Sequence, residues 1–197
     1  GNNQYGRDIG SPWETARRVD GGNIGEAVGN GRTYTGSGPA SWRHNGQANG
    51  IADLNGNVWE WSAGLRLNNG EIQVLANNDA ADNTKDQSRT STHWKAIKAS
   101  DGSLVAPGTA GTLKYDASGA NGTGGNVLSD TVTNRSGNVD EDDYVNGTSQ
   151  VFESMGVKNG LTVPAIAKAL CLYPAVEGLG ADNFWMRNHG ERLPLAG

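Results

Sequence analysis

One thiol, three scattered imidazoles and a run of carboxylates are the side chains of this 197-residue chain whose chemistry could go beyond packing. A nucleophile needs a base beside it, and Cys171 lies in the apolar stretch ahead of Pro174, where the expected role is that of a small buried hydrophobe. A single cysteine also leaves no internal disulfide. His44, His93 and His189 are far apart and each neighbours Asn, Arg or Trp, so no metal-ligand spacing is visible. Asn138-Val139-Asp140-Glu141-Asp142-Asp143 concentrates carboxylates, but such a run is ordinarily a solvated loop.

The stretch that could position a site is Gly50-Ile51-Ala52-Asp53-Leu54-Asn55-Gly56-Asn57-Val58-Trp59-Glu60-Trp61. Asn55-Gly56 tolerates positive φ, and the β-branched and aromatic residues after it have the spacing of a strand. Trp59 and Trp61 then share one face and bury a large apolar area. Glu60, on the other face, is either solvated or held by something positive, such as an arginine or a bound cation.

This stretch resembles the signature of the formylglycine-generating-enzyme (sulfatase-modifying-factor) superfamily, whose core is C-type-lectin-like. Within it the wording is most similar to the phage and bacterial variable proteins diversified by retroelements, which bind ligands and are not enzymes. Ser11-Pro12-Trp13 and Gly190-Glu191-Arg192-Leu193-Pro194-Leu195 extend the resemblance over most of the chain. The resemblance implies a calcium ion held by the Asp53 and Glu60 side chains and the Gly56 and Val58 carbonyls. Hard oxygens from a tight turn suit Ca²⁺, whereas the bland alternative is an Asx turn at Asp53 and a salt bridge at Glu60. It implies no catalytic residue, since the oxidases of the superfamily use a cysteine pair and only Cys171 is here.

The implied fold class is α+β: a C-type-lectin-like, sulfatase-modifying-factor-type fold, loop-rich, with short antiparallel strands and two or three short helices. A single domain over residues 1–197 is expected, truncated at both ends relative to the family. The implied function is a non-catalytic binding scaffold in a phage virion or on a bacterial surface. Its partner would be a protein or glycan receptor on a host or target cell, and its variable ligand-binding segment would follow residue 197. A formylglycine-generating-type oxidase and a purely structural virion part are the alternatives. Missing terminal strands would expose sheet edges, and a homo-oligomer is the expected consequence.

Composition agrees with a small core under many loops. Hydrophobic residues make up 35% of the chain and there are 30 glycines, with a mean hydropathy of -0.58. Six tryptophans and a charged fraction of only 19% argue against disorder. A net charge of -5 carries no electrostatic footprint for nucleic acid or an anionic membrane. No run of about 18 apolar residues offers a transmembrane helix, and the first residues do not read as a signal peptide.

Along the chain, Ser11-Pro12-Trp13-Glu14 predicts a short helix through Arg18. Residues 20–50 read as one long irregular loop, and loops of that length are usually functional or ligand-fixed. Leu65 to Leu75 is the clearest hairpin, turned at Asn68-Asn69-Gly70. A helix capped by Ser91 is expected through Lys98. Strands are expected at Thr112–Tyr115 and Val127–Val132, joined by a loop. A helical turn is expected over Thr148–Met155, and a helix from Thr162 to Leu172, ended by Pro174. Phe184–Arg187 reads as a core strand and Leu193-Pro194-Leu195 as the start of another. Trp42, Trp94 and Trp185 are expected in the core.

Overall fold

In the computed structural model the strands are short, because Gly, Asn and Asp break every apolar run. In chain order they are β1 (Glu60–Trp61), β2 (Leu65–Asn68), β3 (Glu71–Leu75), β4 (Trp94–Ile97), β5 (Leu104–Val105), β6 (Lys114–Ala117) and β7 (Asn126–Ser129). They continue with β8 (Thr148–Val151), β9 (Gly156–Val157), β10 (Asn183–Met186), β11 (Glu191–Arg192) and β12 (Leu195–Ala196). The helix α1 (Ala165–Ala169) lies between β9 and β10, and single 3₁₀ turns complete the regular structure. The fold is thus mixed α+β and mostly loop, as the sequence implies. The structure describes residues 4–53, 60–61, 63–135, 148–177, 183–186, 188, 190–192 and 195–196.

Two compact units divide the chain: Gly1–Trp59 with Gly197, and Glu60–Ala196. In the second, one sheet has the order β1-β12-β10-β8 and the other β11-β2-β3-β6-β7-β9, with β4 also on β3 and β5 on β4. Pairings are antiparallel except β7 with β9. The expected hairpin is present, in register from Leu65↔Val74 to Asn68↔Glu71, with Asn69 at φ +50 and Gly70 at φ +85. A Cβ on Gly70 would sit 2.9 Å from the Tyr115 carbonyl oxygen and 2.7 Å from Val132 Cγ2, so both backbone sign and space select glycine. All five residues of β3 are buried, polar ones included. The second hairpin also forms, as β6 and β7, in register Lys114↔Ser129 to Ala117↔Asn126.

The core of this unit gathers Leu67, Ile72, Ile97, Leu113, Tyr115 and Leu128, all without exposure, and extends to Met155, Leu172, Phe184 and Met186. The Tyr115 and Phe184 rings lie 5.3 Å apart, and the Tyr115 hydroxyl donates to the Leu172 carbonyl at 2.6 Å. Burial pushes that phenol far above its ordinary pKa, so it stays a donor at any physiological pH.

Several expectations are corrected. Residues 94–97 are a strand and not a helix: β4 pairs with β3 through Gln73↔Ala96, Val74↔Lys95 and Leu75↔Trp94. The Ser91 hydroxyl accepts the His93 N–H, closing a local turn where a helix cap was expected. The helix expected over 162–172 shrinks to α1: Pro164 stands at its N-cap without a side-chain cap, so Thr162 does not cap it. Cys171, at φ +53, ends it well before Pro174, and Leu170 faces solvent. Thr148–Met155 begins as β8, and only Phe152–Ser154 forms a helical turn. Strand β1 does not run on into β2, because a turn at Ala63-Gly64 intervenes and the two join different sheets. The strand expected at Phe184 is β10, and the one expected at Leu195 is β12. The Asn55-Gly56 turn, Trp59 and the acidic run 138–143 lie outside the described residues, as do the side chains of Glu60 and Trp61.

The unit Gly1–Trp59 is folded by different means. Among its described residues Ala16 is the one buried apolar side chain, and the other large group at the centre is Arg18, 3% exposed. Isolated bridges Arg7↔Thr15, Arg18↔Thr33 and Arg43↔Ala52 tie the loops together. The bridges at Thr15 and Arg18 keep that backbone extended, so the helix expected from Ser11 to Arg18 does not form. Ser11 to Glu14 is a single turn, with the Ser11 N–H donating to Asp8 Oδ1 at 2.6 Å. Trp13 at its tip is 76% exposed. Trp42 is half-buried, and its indole N–H donates to Glu14 Oε2 at 2.8 Å. The long loop expected over 20–50 is present, with one 3₁₀ turn at Ala40–Trp42.

Candidate functional site

Of the residues the resemblance implies as calcium ligands, Asp53 is described in full. It sits at φ +52, and its Oδ2 accepts the Gly36 N–H at 3.0 Å, holding two loop segments together. Gly56 and Val58 lie outside the described residues, and of Glu60 only the backbone, paired with Ala196, is described.

The nucleophile and histidine candidates resolve into local structure. Cys171 is exposed, which corrects the expectation of a buried thiol: the positive φ that ends α1 turns its side chain outward. His44 Nδ1 accepts the Ile51 N–H at 2.9 Å, and His93 Nδ1 lies 3.3 Å from Asp79 Oδ2. His189 is outside the described residues. Among the described residues no three His, Cys, Asp or Glu side chains gather as a metal-binding group.

Three polar constellations were not singled out from the sequence. The first surrounds Asp116, which has no exposure. Lys158 Nζ donates to its Oδ2 at 2.6 Å, and the N–H groups of Thr133 and Asn134 donate at 3.0 Å each. Lys158 Nζ also makes a short hydrogen bond to Thr133 Oγ1. A hydroxyl beside a lysine has the look of a nucleophile and base, but a base lysine must be neutral. Lys158 Nζ is spent on the Asp116 carboxylate and the Thr133 hydroxyl, so the group acts as a clamp on residues 133–134. Burial pushes the Asp116 carboxyl up, yet the Lys158 ammonium and the N–H donors outweigh it and hold it below its usual range.

The second is a groove of about 540 Å³ whose wall includes Glu71, Gln73, Lys114 and Arg135. Glu71 is saturated: Thr112 Oγ1 donates to Oε1 and Gln73 Nε2 to Oε2, both at 2.7 Å, and the Gly108 N–H adds to both. Lys114 Nζ donates to the Thr112 and Asp130 carbonyls at 2.9 and 3.0 Å. Burial pulls its pKa down although the charges of Glu71 and Asp130 oppose this. Arg135 Nη1 likewise donates to the Asn188 carbonyl at 2.7 Å, so each charged group of this wall is engaged within the protein.

The third centres on Arg18. Its Nη1 donates to the Asn23 carbonyl and its Nη2 to the Val28 carbonyl, both at 2.6 Å, while Asp20 Oδ2 takes Nη2 at 2.7 Å. The guanidinium lies over the Tyr5 ring, 5.6 Å from its centroid. Gly22 is also close, and a Cβ there would come within 2.6 Å of Cζ. Asp20 in turn accepts the Gly22 and Asn30 N–H groups. Hydrogen bonds from Arg18, Gly22 and Asn30 lower its pKa from 3.8 to about 2. One arginine thereby fastens the loop 20–30 at its start, middle and end. The sequence signal for it, Arg18 two residues before Asp20 in a glycine-rich stretch, is too common to be read.

Beside this anchor is a cavity of about 430 Å³, lined among others by Arg17, Arg18, Val19, Ile24, Tyr34 and Ser37. The Arg17 guanidinium stacks 4.7 Å from the centroid of the Tyr34 ring. The chain matches no protein-family model and no curated protein. Among the described residues no helix is long and apolar enough to cross a membrane.

Proposed function

We propose that the protein is a non-catalytic binding scaffold of the C-type-lectin-like, sulfatase-modifying-factor type, carried on a phage or bacterial surface and directed at a protein or glycan receptor. The observation that supports the reading is the burial of Arg18. Long irregular loops are usually loosely held, and ordering one consumes about 1–2 kcal/mol of backbone entropy per residue. Here the loop 20–30 is held by charge-assisted hydrogen bonds to an arginine 3% exposed, in a unit whose described residues include one buried apolar side chain, Ala16. Such an investment suits a surface that must present fixed loops to a partner. Calcium, implied by the resemblance, belongs to the same proposal as a second means of holding loops.

The test is binding of the labelled chain to a glycan array and to a panel of bacterial cells, for the parent and for Arg18→Gln. Saturable binding that Arg18→Gln abolishes, while the Tyr115–Phe184 core keeps its near-ultraviolet dichroism, supports the scaffold. Absence of any binder, or binding indifferent to Arg18, sinks it. Chelation with EGTA is expected to lower the melting temperature and Ca²⁺ to restore it.

A further inference from the structure

We propose that the cavity beside Tyr34 binds a carboxylate carried on a small apolar body. Its wall supplies donors and apolar surface together. Two arginines line it, Val19, Ile24 and Tyr34 are 39%, 46% and 45% exposed, and no Asp or Glu is among the lining residues. Asp20 and Glu26, which neutralise Arg18, are not part of the wall. With Arg18 neutralised, the cationic group offered at the wall is Arg17, in a chain of net charge -5.

Arg17 is the group left over. Its backbone is fixed, with its N–H on Ser37 Oγ at 3.0 Å and its carbonyl accepting the Tyr34 N–H at 2.9 Å. Its guanidinium, in contrast, lies over the Tyr34 ring, and neither it nor the Tyr34 hydroxyl has a hydrogen-bond partner among the described residues. The ring holds the planar fork in place, which lowers the entropy lost when the fork closes on two oxygens. A carboxylate is the ligand that uses such a fork twice, and the Tyr34 hydroxyl is a third donor nearby. Val19, Ile24 and the Tyr34 ring offer nothing to a bare ion but would cover an aliphatic or aromatic body. The volume suits a ligand of that size.

The carboxylate could be that of a free monocarboxylic acid or of a peptide C-terminus. Titration of the full chain with 3-phenylpropionate and its amide, followed by the methyl resonances of Val19 and Ile24, reads the shared chemistry. An N-acetylated peptide ending in Phe, as free acid and as amide, separates the two sources. Saturable shifts with an acid, at least tenfold weaker for its amide, and weakened by about tenfold or more in Arg17→Gln, are expected. Arg17→Lys should recover part of the affinity. Equal binding of acid and amide, competition by inorganic phosphate as strong as by the acid, or no saturation by either acid at about 10 mM each overturn the proposal. Because the parent alone answers the acid-versus-amide question, failure of a variant to fold does not protect it. A chain that recognises no cell or glycan could still hold the acid, so this site and the scaffold reading fail separately.

Discussion

Lys158 Nζ lies 2.6 Å from Asp116 Oδ2, a carboxylate with no exposed surface of its own. The pair joins β6 to the segment after β9, across 42 residues of sequence. Removing the ammonium alone strands a buried charge. Lys158→Met is therefore expected to destabilise the protein by about 3 kcal/mol in urea unfolding, and adding Asp116→Asn to recover part of that loss. Full additivity of the two substitutions would show that the pair does not interact.

Acid should loosen the unit Gly1–Trp59 in a defined window. Asp20 is depressed from 3.8 to about 2 in the folded chain, by Arg18 first and then by the Gly22 and Asn30 N–H groups. Below 3.8 the unfolded chain takes up the proton before the folded one does. The contribution of Asp20 is thus complete above that value and is lost as pH falls toward 2. Hydrogen exchange of the Asn30 amide should accelerate, relative to its intrinsic rate, across that window. In Asp20→Asn the dependence should disappear.

Gly70→Ala is expected to cost about 2 kcal/mol, from a positive φ and from the clash of its methyl with Val132 and the Tyr115 carbonyl. Thermal unfolding measures it. The neighbouring substitution Asn69→Gly keeps the turn's backbone sign and serves as the control, with a change within about 1 kcal/mol.

The hairpins were legible because their instructions are local. Asn69-Gly70 accepts positive φ whatever surrounds it, and the alternation in Leu65, Leu67, Ile72 and Val74 places those side chains on one face of any ribbon they join. Residues 94–97 differ from expectation for the complementary reason. Ser91 followed by Trp94-Lys95-Ala96-Ile97 satisfies a helix start as well as a strand, and the free edge of β3 decided between them. The helix expected over 162–172 is shorter for a similar reason: the positive φ of Cys171 ends α1 and lets Leu172 reach the core beside Ala167.

The turn at Asn69-Gly70, the two hairpins and the loop-rich character followed from the sequence by itself, since positive-φ residues, alternation and glycine content act over a few residues. The tertiary structure alone decided that Arg18, Glu71 and Asp116 are buried while Trp13 and Cys171 are exposed. A buried charge is tolerable only when its partners are in place. For Glu71 the Thr112 hydroxyl comes from 41 residues away, and for Asp116 the Lys158 ammonium comes from 42. Spacing along the chain does not encode such meetings; only the folded sheets bring those donors together.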